Sequence, residues 1–187
     1  MSSLAYESAN EIYLASDSVL RIYGIGGLRW KRNVAKGGRI GPWLQARYEI
    51  LNPRVWAAKT PCLYLVAGSD QVIRYAGISR NRLKDRWRES PALDAETLQP
   101  WPEKQLFHSQ CWKHIEKEHM SNSAMTYEVR CIGADKLVPV LARLGAPLSA
   151  FLALEGDGEG IVAAVERWLC NNKSERLVPW NVSMTLR

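Results

Sequence analysis

Cys62-Leu63-Tyr64-Leu65-Val66 and Arg74-Tyr75-Ala76-Gly77-Ile78-Ser79 read as two strands of one hairpin, each presenting a tyrosine. The first is a continuous apolar run opened by Pro61, the pattern of a central strand. Ala67-Gly68-Ser69-Asp70 makes a turn, and Gln71 to Gly77 reads as the returning strand. A basic helix, Arg82–Glu89, follows at once, with Asn81 as its N-cap and Ser90-Pro91 as its stop. Its first turn is basic, which the helix dipole disfavours and a bound anion would relieve. A hairpin can bring the hydroxyls of Tyr64 and Tyr75 to one surface; equally, tyrosine is an ordinary strand residue.

Outward from the hairpin the pattern alternates between helix and loop. Residues 4–23 read as one helix or two, ended by Gly24-Ile25-Gly26-Gly27. Lys36 to Pro42 reads as a flexible basic loop, and Trp43–Ile50 as a helix broken by Asn52-Pro53. Past a Pro-bearing loop over 91–104, Gln105–Met120 is helical in pattern, with Leu106, Cys111 and Ile115 inward. Met125–Ile132 alternates as a third strand, with Tyr127, Val129 and Cys131 on one face. Asp135–Leu144 is a short helix, Leu148–Leu154 an ambiguous apolar run, and Glu159–Cys170 an amphipathic helix with Ile161, Val162, Val165 and Leu169 inward.

The chain of 187 residues fits one domain, or one domain with a sizeable extension. It lacks the run of about 18 apolar residues that a membrane span needs. Its first residues carry neither the basic nor the apolar region of a signal peptide. Four scattered cysteines read as reduced, buried residues of a cytoplasmic, bacterial-type protein. Charge is lopsided. Residues 1–90 hold fifteen Lys and Arg against seven Asp and Glu, whereas residues 91–187 hold ten against twelve. The stretch Arg29–Lys59 has eight basic residues and one acid, interleaved with Trp30, Trp43, Tyr48 and Trp56. Such a stretch suits a polyanion, since each phosphate neutralised releases counterions. It is also how a solvated basic face with core aromatics reads. Candidate DNA contacts are Arg29, Lys31, Arg32, Lys36 and Arg39 here, and Arg80, Arg82 and Lys84 around the basic helix. Cys111, His114 and His119 have a loosely zinc-like spacing without a fourth ligand, and His108 completes the histidines of that helix.

The two tyrosine motifs and the helix behind them resemble the GIY-YIG nuclease family. The second motif runs Tyr75-Ala76-Gly77-Ile78-Ser79-Arg80-Asn81-Arg82-Leu83-Lys84-Asp85-Arg86-Trp87. Leu83, Arg86 and Trp87 match the family's apolar–Arg–apolar pattern with one extra residue before Leu83. Glu166-Arg167-Trp168-Leu169-Cys170 and Pro179-Trp180-Asn181 resemble the family's metal-binding helix and closing loop, with one residue fewer between Pro and Asn. The first motif departs, reading Cys-Leu-Tyr for Gly-Ile-Tyr, and Ser90 stands where some members have a histidine.

The resemblance implies an α+β fold: a small, central, antiparallel or mixed three-stranded sheet flanked by helices. Residues 61–187 would form the nuclease core, with a helical insertion near 91–120. Residues 1–60 would be a basic extension for DNA contact and dimerisation. It implies catalytic roles for Tyr64, Tyr75, Arg86, Glu166 and Asn181. Arg86 would clamp the scissile phosphate, and Glu166 would be the single carboxylate ligand of Mg²⁺ or Mn²⁺. Glu155, Asp157 and Glu159 are the rival carboxylates. Gly77 suits a close approach of backbone to phosphate. The implied activity is hydrolysis of phosphodiester bonds in double-stranded DNA by a homodimer, as in a type II restriction enzyme. A nuclease of repair, mobile elements or bacterial killing is one alternative. A non-catalytic nucleic-acid-binding module with structural tyrosines is the other.

Overall fold

In the computed structural model, which describes residues 2–33, 37–87, 96–97, 111–154 and 158–181, the hairpin forms one end of a larger sheet. β3 (Cys62–Gly68) is buried throughout, and β4 (Ile73–Ser79) at all positions but Ile78. They pair antiparallel, with Tyr64 opposite Gly77 and Val66 opposite Tyr75. An apolar strand of this kind needs a partner on both sides. β5 (Tyr127–Gly133) supplies the second, antiparallel, along the whole of β3. β1 (Asp17–Asn33) then pairs with β5 over Asp17–Ile22, and β2 (Gly38–Ile50) pairs only with β1. The sheet is therefore antiparallel and five-stranded, in the order β2-β1-β5-β3-β4, against the three strands expected.

The difference arises before residue 51. α1 (Ser2–Ala15) ends well short of residue 23, and β1 takes over. The helix expected over Trp43–Ile50 is instead most of β2. Leu20 and Ile22 are buried two residues apart, as strand pairing demands. What fixes them is pairing with Val129 and Tyr127, over a hundred residues away. Gln45-Ala46-Arg47 has good helix propensity, but cross-strand pairing outweighs so small a preference. Residues 1–60 thus contribute α1, β1 and β2, and β1 shares the sheet with the strands of 61–187.

Alternation along β3 divides the interior into two cores. Leu63, Leu65 and Ala67 join Ile12 of α1, Leu137 and Leu141 of an α5 helix (Ala134–Leu144) and Val162 and Val165 of an α6 helix (Gly158–Asn171). Cys62, Tyr64 and Val66 face Trp87 of α3 (Leu83–Trp87), Trp112 and Ile115 of α4 (Cys111–Ser121) and, from β5, Tyr127, Val129 and Cys131. Between these lie the short α2 (Pro53–Ala57) and a 3₁₀ turn (Leu148–Ala153) where the sequence was ambiguous. The four cysteines are free and buried. Lys36, Ser90, His108, Glu155 and Asp157, and the expected helical residues 88–89 and 105–110, lie outside the described residues.

Arg74 braces the hairpin turn. It is 6% exposed. Its Nη1 and Nη2 donate to the two Asp70 carboxylate oxygens at 2.6 Å, and its Nε lies 2.8 Å from Glu118 Oε2 on α4. Tyr127 donates to the same Glu118 oxygen at 2.7 Å. The guanidinium holds the Asp70 carboxyl below its ordinary range. Truncating one member of such a set leaves the others desolvated and unmatched. Arg74→Ala is expected to cost about 2 kcal/mol, since both carboxylates keep partial access to water. A shift of the urea midpoint at constant slope measures it; Arg74→Lys, lacking the planar fork, should recover less than half.

Candidate active site

β4 is the outer strand, and its edge is where several elements converge. The C-terminal segment runs along it: Val178 N donates to Ile73 O at 2.9 Å, and Trp180 N to Arg74 O at 2.7 Å. These bonds deliver Asn181 beside β4. Its Nδ2 donates to Ala76 O at 2.6 Å and to Cys170 Sγ of α6 at 3.0 Å. Asn181 Oδ1 is then buried with no hydrogen-bond partner among the described residues. From one face of the sheet α3 brings Arg86, and from the other α6 brings Glu166. A cavity of about 270 Å³ opens between them, lined by Tyr75, Arg86, Glu166 and Asn181 together with Arg80 and Cys170.

The electrostatics of this cavity are uneven. Burial raises the Glu166 carboxyl above its ordinary value, and Arg86 and Arg167 pull it back only in part. Burial also drives the Tyr75 phenol well above its ordinary value, with the Tyr64 phenol adding to the shift, so Tyr75 stays protonated at neutral pH. Partial burial lowers the Arg86 pKa, but the neighbouring Tyr64 and Tyr75 phenols and Glu166 more than restore it. The wall thus holds a fixed cation, a neutral donor and a carboxylate whose charge is held against a desolvation cost.

Tyr64 sits behind the cavity rather than in its wall. Its ring is fully buried and stacks on Tyr75, with centroids 6.0 Å apart and planes 11° apart. Trp87 meets its edge at 5.7 Å. Gly77 lies directly across the ladder from Tyr64, and a Cβ there would come within 2.5 Å of the phenol's Cζ and hydroxyl oxygen. The glycine therefore makes room for the Tyr64 ring, a reason different from the expected approach to phosphate. Gly77→Ala is expected to push Tyr64 off Arg86 and to cost roughly 1–3 kcal/mol of overpacking strain. Thermal unfolding and the near-ultraviolet tyrosine signal would register both effects.

Arg80, Arg82 and Arg86 line a second, shallower cavity of about 390 Å³ on the α3 side, with Asn81 and Asp85. Arg80 and Arg86 belong to both cavities, so the two form one continuous cationic groove. Arg80 Nε is paired with Glu159 Oε1 at 2.6 Å. Lys84 lines neither cavity among the described residues. Of the basic residues before residue 51, Arg29 and Arg39 lie on β1 and β2, away from this groove, and Lys31 and Arg32 are placed on β1 by backbone. His114 stacks on Trp180 at 5.3 Å, whereas His119 packs against Gly24 on β1. Among the described residues no three His, Cys, Asp or Glu side chains converge as a metal-binding group, so Cys111, His114 and His119 form no zinc site. A larger cavity of about 510 Å³, between α1 and the strand ends, has Arg21 and Glu128 as its charged lining residues.

Cys170 was read only as a buried cysteine. Its spacing of four from Glu166 on one helix is the signal that could have placed it beside the carboxylate. The Arg80–Glu159 pair carried no such signal, because it joins elements nearly eighty residues apart.

No family model, no curated protein and no solved structure matches this chain.

Proposed function

We propose that the protein is a metal-dependent DNA endonuclease of the GIY-YIG type, cutting duplex DNA as a homodimer in the manner of a type II restriction enzyme. The observation that carries this reading is the cavity at the β4 edge, where Tyr75, Arg86, Glu166 and Asn181, contributed by four separate elements, share one wall. Phosphodiester hydrolysis needs cationic stabilisation of developing charge and in-line alignment of water. A guanidinium supplies the first as a bidentate clamp on two phosphate oxygens. Tyr75, kept neutral, donates a hydrogen bond to the phosphate or to the attacking water. Tyr64 acts behind them, fixing Tyr75 by stacking and standing as a neighbouring phenol to Arg86. Arg80 and Arg82 extend the cationic groove along the neighbouring phosphates.

The donor set fits a hard divalent cation. Glu166 offers a carboxylate oxygen, and Asn181 Oδ1 is a buried acceptor that no donor among the described residues satisfies. Mg²⁺ accepts such a sparse oxygen set because it keeps several waters. When bound, the ion would meet charge on a phosphate oxygen and favour the ionised form of a coordinated water.

The raised Glu166 carboxyl sets the pH dependence. Below its pKa the group is neutral and holds no cation. Cleavage is therefore expected to rise with pH through a midpoint above that of a free glutamate, about 4.3. The sign for stability is opposite. A carboxyl raised in the folded state loses stability as pH climbs from its unfolded to its folded pKa. Glu166→Gln should raise the melting temperature at pH 7 and leave it unchanged well below pH 4. A scan of melting temperature against pH for both proteins measures the difference.

The type of nuclease is tested by digesting one fully sequenced phage genome with and without Mg²⁺. Discrete bands are expected for a site-specific enzyme. A smear, or nicks confined to branched structures, would favour a repair or mobile-element role instead. Salt-sensitive binding without any turnover would leave a binding module.

A further inference from the structure

The sheet does not account for the outer half of β1 and β2. β5 pairs with β1 only as far as Ile22, so from Gly24 to Asn33 β1 has β2 as its sole partner. Ile25 and Ala46 still pack against the second core. Past them, among the described residues, the pair runs on as a two-stranded ribbon, through Leu28–Leu44 and Arg29–Trp43 to Arg32–Arg39 and Asn33–Gly38. At about 3.3 Å per residue, the span from Gly26 to Asn33 extends roughly 25 Å.

Three features mark this ribbon as an interaction surface for a polyanion. First, residues 26–46 carry five Lys or Arg and no Asp or Glu. Second, the register sets Arg32 opposite Arg39, two cationic residues on one rung. Like charges directly across a ladder destabilise a hairpin unless an opposite charge lies against them. Third, the ribbon presents large apolar side chains to solvent: Leu28 is 58% exposed and Trp30 47%. An isolated two-stranded hairpin is marginal in water, so apolar residues left bare on it are better explained by a surface they meet in a complex.

Dimensions choose the site on the polyanion. Two strands about 4.8 Å apart, with side chains on both edges, match a major groove about 12 Å wide and exceed a minor groove about 6 Å wide. Register shifts at Ile22/Gly24, Ile25/Leu28 and Arg29/Lys31 add twist to the ribbon, as bulges do, which suits a helical groove. We propose that the ribbon formed by Gly26–Asn33 of β1 and Gly38–Ala46 of β2 enters the major groove of duplex DNA and reads base edges there, apart from the cavity at the β4 edge. This rests on duplex DNA being the substrate, as the proposed function has it, but not on any cleavage step.

The test is metal-free binding of the full-length Glu166→Gln protein, scored by gel shift. One duplex carries glucosylated 5-hydroxymethylcytosine, which fills the major groove. A second, A·T-rich duplex is preloaded with netropsin, which fills the minor groove. Binding is expected to weaken at least tenfold on the first and to be unaltered on the second. Arg39→Ala should weaken binding to unmodified duplex and lower the slope of log K against log salt by about 0.9 for the one phosphate or base-edge cation removed. Netropsin-sensitive binding, glucose-insensitive binding, or an Arg39→Ala protein with the wild-type slope would each overturn the proposal. Wild-type cleavage of the glucosylated duplex at full rate would overturn it too, while leaving the nuclease reading intact. Groove-dependent binding with no metal-dependent cleavage would overturn the nuclease reading and leave the ribbon's role standing.

Discussion

Glu166→Gln abolishes DNA cleavage while the protein still folds and still binds duplex: that is the largest single effect expected of any substitution in this chain. Among the described residues, Glu166 is the one carboxylate in the wall of the cavity at the β4 edge. Its ionisation is held against burial, so the fold bears a cost to keep it there. A carboxylate raised by burial and set beside an arginine in a cleft is a candidate for chemistry. Removing one preorganised electrostatic contributor commonly costs 10²–10³ in rate, and losing the only protein carboxylate available to the cation is expected to exceed about 10³-fold. Supercoiled plasmid relaxation under single-turnover conditions reads the rate, and a gel shift reads binding. A Glu166→Gln protein cutting within tenfold of wild type would remove Glu166 from the mechanism and return Glu159, on the same helix, as the carboxylate to examine.

Arg86 carries the second large effect. Tyr64, itself packed between Tyr75 and Trp87, stands behind the guanidinium as a neighbouring phenol. Arg86→Ala should lower the cleavage rate by roughly 10²–10³-fold, the usual loss for one transition-state donor. Arg86→Lys should recover little, because an ammonium cannot contact two phosphate oxygens in a plane. Binding should fall by less than tenfold in both, since Arg80 and Arg82 continue the cationic groove. Equal losses in binding and rate would identify Arg86 as one more backbone contact. Full activity in Arg86→Lys would show that charge alone, not the fork, is used.

What could be read from the sequence depended on how far apart the interacting residues lie. The β3–β4 hairpin and the helix after it are local, and their apolar runs, turn residues and breakers fall within about thirty positions. The strands of β1 and β2 were misread as helix and loop because their pattern is weakly periodic and their decisive partner is β5. No local signal reports a pairing between Ile22 and Tyr127. The cavity divides the same way. Tyr75, Arg86, Glu166 and Asn181 are singled out in the sequence only through the resemblance to the GIY-YIG motifs. That Tyr64 lies behind the wall could not be read there, because it follows from Gly77 standing opposite it and Trp87 against its edge. Cys170 as the second partner of Asn181, and Glu159 as the partner of Arg80, likewise depend on how α6 docks beside β4.

The roles proposed for Tyr75, Arg86, Glu166 and Asn181 require that wild-type protein breaks phosphodiester bonds, and only when a divalent cation is supplied. Incubating the purified protein with a supercoiled plasmid, in Mg²⁺ or in EDTA, measures that directly. The account predicts nicked and linear plasmid with Mg²⁺ and intact supercoils with EDTA. Plasmid left intact in both, by protein that a gel shift shows to be bound to it, would contradict the account.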